Sequence, residues 1–274
     1  MKTVVDLSVT SAHARGRGWS PAWLFRAGER GAWYDTSVAS ALWQDTAATL
    51  PAGAGQTVAR LDDLSGNAHH MIQENAGGRP VLRATASGHA LEFDGVDDLM
   101  QAASPPSAWA WAHQQGGVTL GIAARISHRT DRNEFLMGTM SGASTANTGV
   151  SVLGENTGAL GVGYNARVMI ARGVGGDPAT FHSNYTTTDP VKVWTYVTDE
   201  SGARLTGQNF MTQSSWMHLP TSAADPSLTL FLGGAGGNRL QGRILAAVIV
   251  DRALGADDEG RLRRWLGARA GVAG

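Results

Sequence analysis

The chain has 274 residues, a formal net charge of −1 and no cysteine, which excludes disulfides and thiolate metal sites. With that charge balance, nothing favours a nucleic-acid groove or an anionic membrane surface. Charged residues make up only 16% of the chain while glycine supplies 36 positions, a mix that suits many short strands joined by tight turns and fits long helices poorly.

The first 18 residues read as an arm: Thr3–Val9 has the content of a short strand, and Ala12–Gly18 is small and basic. Residues 1–30 are therefore expected to form an arm with a short helix, and residues 31–274 the main domain. Ser20-Pro21 predicts a helix start, with Ser as cap and Pro at the first helical position, ending at Gly28. No apolar run has signal-peptide or membrane-spanning length, so synthesis in the cytoplasm and no membrane insertion are expected.

Short strands are predicted at Ala32–Asp35, Met71–Gln73, Pro80–Arg83, Ala90–Phe93 and Leu99–Gln101. Between them, Ser65-Gly66-Asn67 is a turn signal. Pro105–Gln115 reads as a loop or one helical turn carrying Trp109 and Trp111. Val118–Ile126 alternates, with Val118, Leu120, Ile122 and Ala124 on one side, as a half-buried strand does. Glu134–Met140 is a further strand.

Two hairpins follow, one pairing Val150–Leu153 with Leu160–Tyr164 and one pairing Val193–Thr198 with Ala203–Thr206. Gly173–Tyr185, rich in Gly, Asp, Asn and Thr, reads as a variable loop. Leu228–Leu232 and Arg243–Asp251 are the last strands, and the nearly continuous apolar run Ile244–Val250 belongs at the centre of a sheet. A closing helix spans about Ala256–Arg269. Asp257, Asp258 and Glu259 lie at its start and Arg269 at its end, an order that complements the helix dipole.

Several segments, in co-linear order, carry a family resemblance. They are Gly31–Asp35 with Leu42–Thr46, the strand and D-x-S-G-N turn of Val58–Asn67, Leu91–Asp98 (LEFDGVDD), and Leu228–Leu254 with its closing Arg252-Ala253-Leu254. Together they resemble the concanavalin A-like lectin/glucanase jelly roll of laminin-G type found in bacteriophage and prophage proteins. The resemblance implies an all-β fold, a two-sheet antiparallel sandwich with a short N-terminal helix and a C-terminal helix. The fold alone implies no single function; taken with the expected lack of a signal peptide and of a catalytic set, the resemblance leads to the expectation of a non-enzymatic virion subunit, as a capsid decoration, head fibre or tail component. The expected partners are other virion proteins, copies of itself as a homo-oligomer (a trimer by analogy with fibres), and host-surface polysaccharide. A carbohydrate-binding adhesion module is the alternative, and a residual glycoside hydrolase that would require Glu92 stands behind it.

Glycanases on this fold carry E-x-D-x-x-E on one strand, and Glu92-Phe93-Asp94-Gly95-Val96-Asp97 approaches it. Asp97 has a shorter side chain, and Asp94-Gly95 reads as a turn. The expectation is therefore no catalytic residue, with Leu91 and Phe93 in the core and the aspartates holding the turn. Sugar stacking would fall to aromatics and amides in or beside loops: Trp109, Trp111, Tyr164, Asn165, Tyr185 and Trp216. No cofactor is expected beyond calcium, which related modules hold; its candidate ligands are Asp62, Asp63, Asn67, Asp94, Asp97 and Asp98. His69-His70 has no second ligand pair at zinc spacing.

Overall fold

A computed structural model describes residues 18–113, 117–126, 133–140, 149–155, 164–171, 179–185, 191–199, 202–207, 213–215 and 226–272. The strands are, first, β1 (Gly31–Asp35), β2 (Leu42–Trp43), β3 (Arg60–Leu61), β4 (Met71–Ile72), β5 (Val81–Thr85), β6 (Gly88–Asp94) and β7 (Met100–Ala102). Next come β8 (Val118–Ile126), β9 (Glu134–Gly138), β10 (Gly149–Glu155), β11 (Tyr164–Ala171), β12 (Ala179–Tyr185), β13 (Val191–Asp199), β14 (Gly202–Gly207) and β15 (Gln213–Ser215). The last are β16 (Phe231–Leu232), β17 (Gly234–Ala235), β18 (Asn238–Arg239) and β19 (Gln241–Val250), before the helix α1 (Ala256–Ala270).

All but β17 and β18, which pair with each other, form two antiparallel sheets. Sheet one runs β15-β14-β13-β8-β19-β6-β5, with β1 also on β19; sheet two runs β12-β11-β10-β9-β16-β7-β4-β3-β2. The all-β sandwich expected from the sequence is thus the observed class. Between the sheets lies the main core, including Tyr34, Leu91, Phe93, Leu120, Ile122, Trp194 and Ile249 from one side and Leu61, Met71, Met100, Leu136 and Val152 from the other.

β19 is central because both of its edges are used. One pairs with β8; the other pairs with β6 through Gln241–Ile244 and with β1 through Ala246–Val250. The register shifts between Ile244 and Ala246, so Leu245 is the extra residue of a bulge. Burial of both faces makes the run continuously apolar, and the bulge sets two consecutive residues, Leu245 and Ala246, on one face. Ile244, Ala247 and Ile249 enter the inter-sheet core, while Leu245, Ala246, Val248 and Val250 enter a second cluster on the opposite face. Gly31 lets β1 reach this strand: at φ +133°, a Cβ there would lie 2.0 Å from the carbonyl oxygen of Ile249.

The second cluster is the seat of α1. Leu262, Trp265 and Leu266 pack with Trp33, Ala123 and Val248, and Trp33 meets Trp265 edge-on at 5.9 Å between ring centres. Gly121 of β8 permits the close approach, since a Cβ there would sit 3.0 Å from Leu262 and 3.1 Å from Leu266. At its far end, Arg269 Nε donates to the buried carboxylate of Asp35 at 2.9 Å. Trp19, Leu24 and Phe25 pack on the same cluster from the N-terminal side.

Some sequence expectations shift. Ser20–Gly28 is not an α-helix but a 3₁₀ turn over Pro21–Phe25, closed by Gly28 at φ +83°. The first hairpin pairs β10 with a strand that begins at Tyr164 and runs to Ala171, not one ending at Tyr164. The C-terminal half of the expected variable loop is strand β12. Most of the arm (residues 1–17) lies outside the described residues.

Candidate glycan-facing surface

The D-L-S-G-N turn is built to staple an edge. β1 pairs with β19 on one side only, so its other edge carries unpaired backbone groups. Asp63 Oδ1 accepts the N–H of Trp33 at 3.0 Å, and the N–H of Leu64 donates to the Trp33 carbonyl at 2.8 Å. Asp63 also accepts from Ser65 N, Ser65 Oγ and His69 N. Asn67 Nδ2 donates to the carbonyls of Glu29 and Gly31, while Asp62 accepts from Trp43 Nε1 and Arg60 Nε. Asp62 and Asp63 are therefore committed to backbone and side-chain donors, and the Asn67 amide nitrogen to two backbone carbonyls.

Asp94, Asp97 and Asp98 do come together, with one carboxylate oxygen from each lying within 4.8 Å of the others. That spacing fits oxygens sharing a calcium at 2.3–2.6 Å. They also hold the turn: Asp94 Oδ1 accepts from Val96 N at 2.7 Å and Asp97 N at 3.3 Å, and Asp98 Oδ2 accepts from Asp94 N at 2.9 Å. Burial pushes the Asp98 carboxyl up to about 6; the Asp94 N–H opposes this and the neighbouring carboxylates reinforce it.

Glu92 is unsuited to acid catalysis. It lies on the outward face of sheet one, with Leu91 and Phe93 in the core. Arg83 Nε donates to its Oε1 at 2.8 Å and Arg243 Nε to its Oε2 at 2.7 Å. Burial acts to raise its carboxyl pKa, but the hydrogen bonds and charges of the two guanidiniums outweigh this and hold it below the usual range. The other buried carboxylates near the sheets also have structural partners: Glu134 accepts from Gln241 N and Glu259 from Thr195 Oγ1.

The aromatic candidates separate. Trp109 and Trp111 sit in a 3₁₀ segment, Pro106–His113, and are 0% and 4% exposed. Trp109 donates to Thr229 Oγ1 and meets His69 at a 47° tilt with ring centres 4.6 Å apart, and both indoles are inter-sheet core and not a sugar platform. Their Ala-rich neighbours conceal this in the sequence, because a 3₁₀ turn gives no clear apolar period. Trp216 lies outside the described residues.

Tyr164 is on a strand, as the hairpin reading had it, and Asn165 and Tyr185 are on strands as well. In register, Glu155, Asn165 and Asn184 form one cross-strand row of β10–β11–β12, and Leu153, Arg167 and His182 form the next row but one. Residues two apart on a strand share a face. Leu153 belongs to the cluster with Phe135 and Phe231 on the outward side of sheet two, whereas Val150 and Val152 join the inter-sheet core. Both rows thus belong to the outward face, and the Tyr164–Tyr185 pair to the inward one. Glu155, Arg167, His182 and Asn184 were missed because they sit in segments that read as turn or loop; the alternation Asn165, Arg167 and His182, Asn184 was the available signal.

No family model matches this sequence, and no curated protein sequence does. Solved structures match its fold. An arabinofuranosidase complexed with arabinofuranosyl-α-1,2-xylobiose aligns over 92% of this chain and 65% of its own, with TM-score 0.62 and 14% identity. A Trypanosoma rangeli sialidase aligns over 89% of this chain and 33% of its own, at 0.52 and 10%. A botulinum neurotoxin type C whose cell entry depends on two ganglioside molecules aligns over 75% and 48%, at 0.54 and 10%. This chain thus spans just under two thirds of the arabinofuranosidase.

The class is therefore a β sandwich of the kind found in carbohydrate-active and carbohydrate-binding proteins. At these identities the likeness establishes the fold alone. It corrects two expectations. Glycoside hydrolases share nearly the whole of this fold, and nothing in the comparisons points to a particle, so the non-enzymatic virion subunit is set aside, along with the inference that the chain is not an enzyme.

Proposed function

We propose that this chain is a glycosidase-type carbohydrate-active sandwich that engages a glycan across the outward face of β10–β12. The observation that carries the reading is the register, which sets Glu155, Asn165 and Asn184 in one row and Arg167 and His182 on the same face. Amides and carboxylates are the partners that sugar hydroxyls require, because each side chain can serve two adjacent oxygens. Glu155 is the carboxylate of these rows. Retaining hydrolysis would need a second carboxyl about 5–5.5 Å from it, and inverting hydrolysis one farther away. The narrower resemblance to lectin/glucanase jelly rolls accords with this reading, and a calcium ion is proposed for the Asp94–Asp97–Asp98 turn.

The test uses 4-nitrophenyl α-L-arabinofuranoside and a sialoside as substrates, with glycan retention measured in parallel. Glu155→Gln should abolish hydrolysis, by about 10³-fold or more, while retention persists. Asn165→Ala with Asn184→Ala should weaken retention about tenfold or more. Wild-type protein that neither cleaves nor retains any arabinose- or sialic acid-bearing glycan would dispose of the reading. Unchanged retention in the double variant would move the surface elsewhere.

A further inference from the structure

On the opposite side of the molecule, the outward face of sheet one carries a strip of charge beyond the helix. Alternation defines it: Leu82, Leu91, Ala124, Ile126 and Ile244 are inter-sheet core, so Arg83, Glu92, Arg125 and Arg243 face outward. They lie on the adjacent strands β5, β6, β19 and β8. The register sets Glu92 directly opposite Arg243, and Arg243 directly opposite Arg125.

The charges do not cancel. Both oxygens of Glu92 are taken, one by Arg83 at 2.8 Å and the other by Arg243, whose Nη2 lies 2.5 Å away. Arg125 is exposed and has no ion pair among the described residues. Two guanidiniums thus stand opposite one another on neighbouring strands, an arrangement that costs stability unless an anion lies between them. Arg83 and Arg243 keep 45% and 33% of their side chains exposed, leaving donors open to an anion. A planar guanidinium matches a carboxylate or sulfate with two parallel hydrogen bonds.

We propose that this strip binds the anionic groups of an acidic polysaccharide, with Arg125 and Arg243 holding a carboxylate or sulfate ester between them. Three guanidiniums beside one carboxylate, on a chain of net charge −1, make a small local site and not the long basic track that a nucleic acid requires. The surface is separate from the β10–β12 face.

The probes are polygalacturonate for carboxylate and dextran sulfate for sulfate, with neutral dextran and a DNA duplex as comparisons, all at one ionic strength. Polygalacturonate or dextran sulfate should be retained and should raise the melting temperature of the wild type; neutral dextran should do neither, and the duplex should bind more weakly. Arg125→Glu should weaken retention by about tenfold or more while its melting temperature matches or exceeds the wild type, because the new carboxylate faces Arg243. Arg125→Gln should fall between, and Glu155→Gln should leave polyanion retention unchanged. Four results would overturn the proposal: wild type that retains neither polyanion, folded Arg125→Glu that binds as well as wild type, equal retention of neutral dextran, or a duplex held as tightly as the polysaccharide.

Discussion

Asp98 is a buried carboxyl in an otherwise mostly exposed turn, held by one backbone N–H, with Asp94, Asp97 and Glu92 around it. Its folded pKa, about 6, lies above the ordinary carboxylate value, so the folded state binds the proton more tightly than the unfolded chain. The associated stability is fully present below about pH 4 and is lost as pH rises through 6. Asp98→Asn keeps an oxygen for the Asp94 N–H and removes the charge. In chelator it should stabilise the fold by about 1–3 kcal/mol at pH 7.5 and by almost nothing at pH 3.5. Urea melts at the two pH values check this; equal effects at both would refute the assignment. Added calcium should raise the melting temperature of the wild type at pH 7.5 and leave Asp98→Asn unmoved.

At the scale of elements, the strongest dependence is between α1 and the outer side of sheet one. The helix contributes Leu262, Trp265 and Leu266 to a cluster that also holds Trp33, Val248 and Val250. Leu262 is fully buried against Gly121, where no side chain can move in to fill a void. Leu262→Ala should cost about 2–5 kcal/mol, measured by denaturant unfolding. A loss under about 1 kcal/mol would mean that the helix is only loosely docked. The reverse change, Gly121→Ala, should also destabilise, because its Cβ would press on both leucines.

The molecule as a whole joins the two ends of its sequence. β1 pairs with β19 across more than two hundred residues, and β19 also binds β6 and β8 and supports α1. A fold with its C-terminal strand at the centre cannot lose one part and keep the rest. Thermal unfolding should therefore show a single transition, coincident by far-ultraviolet circular dichroism and tryptophan fluorescence. Two separated transitions would show that the described sheets melt independently.

Local chemistry was legible in the sequence wherever one strand or turn decides the outcome. Period-two alternation marked Val118–Ile126 as a strand, although α1 buries its second face too and it is not half-buried; the Asp-Gly and Ser-Gly-Asn signals marked turns, and the charge order of Ala256–Arg269 marked a helix. These follow from backbone sterics and from burial of one face, which neighbouring residues settle among themselves. The tertiary structure decided the rest, because burial and register arise from segments far apart in the chain. Only packing between the sheets turned Trp109 and Trp111 from exposed candidates into core. Only cross-strand register brought Glu155, Asn165 and Asn184 into one row and set Arg243 between Glu92 and Arg125. A single sequence states which residues alternate; which alternating faces meet depends on long-range pairing, whose free energy is spread over the whole sandwich.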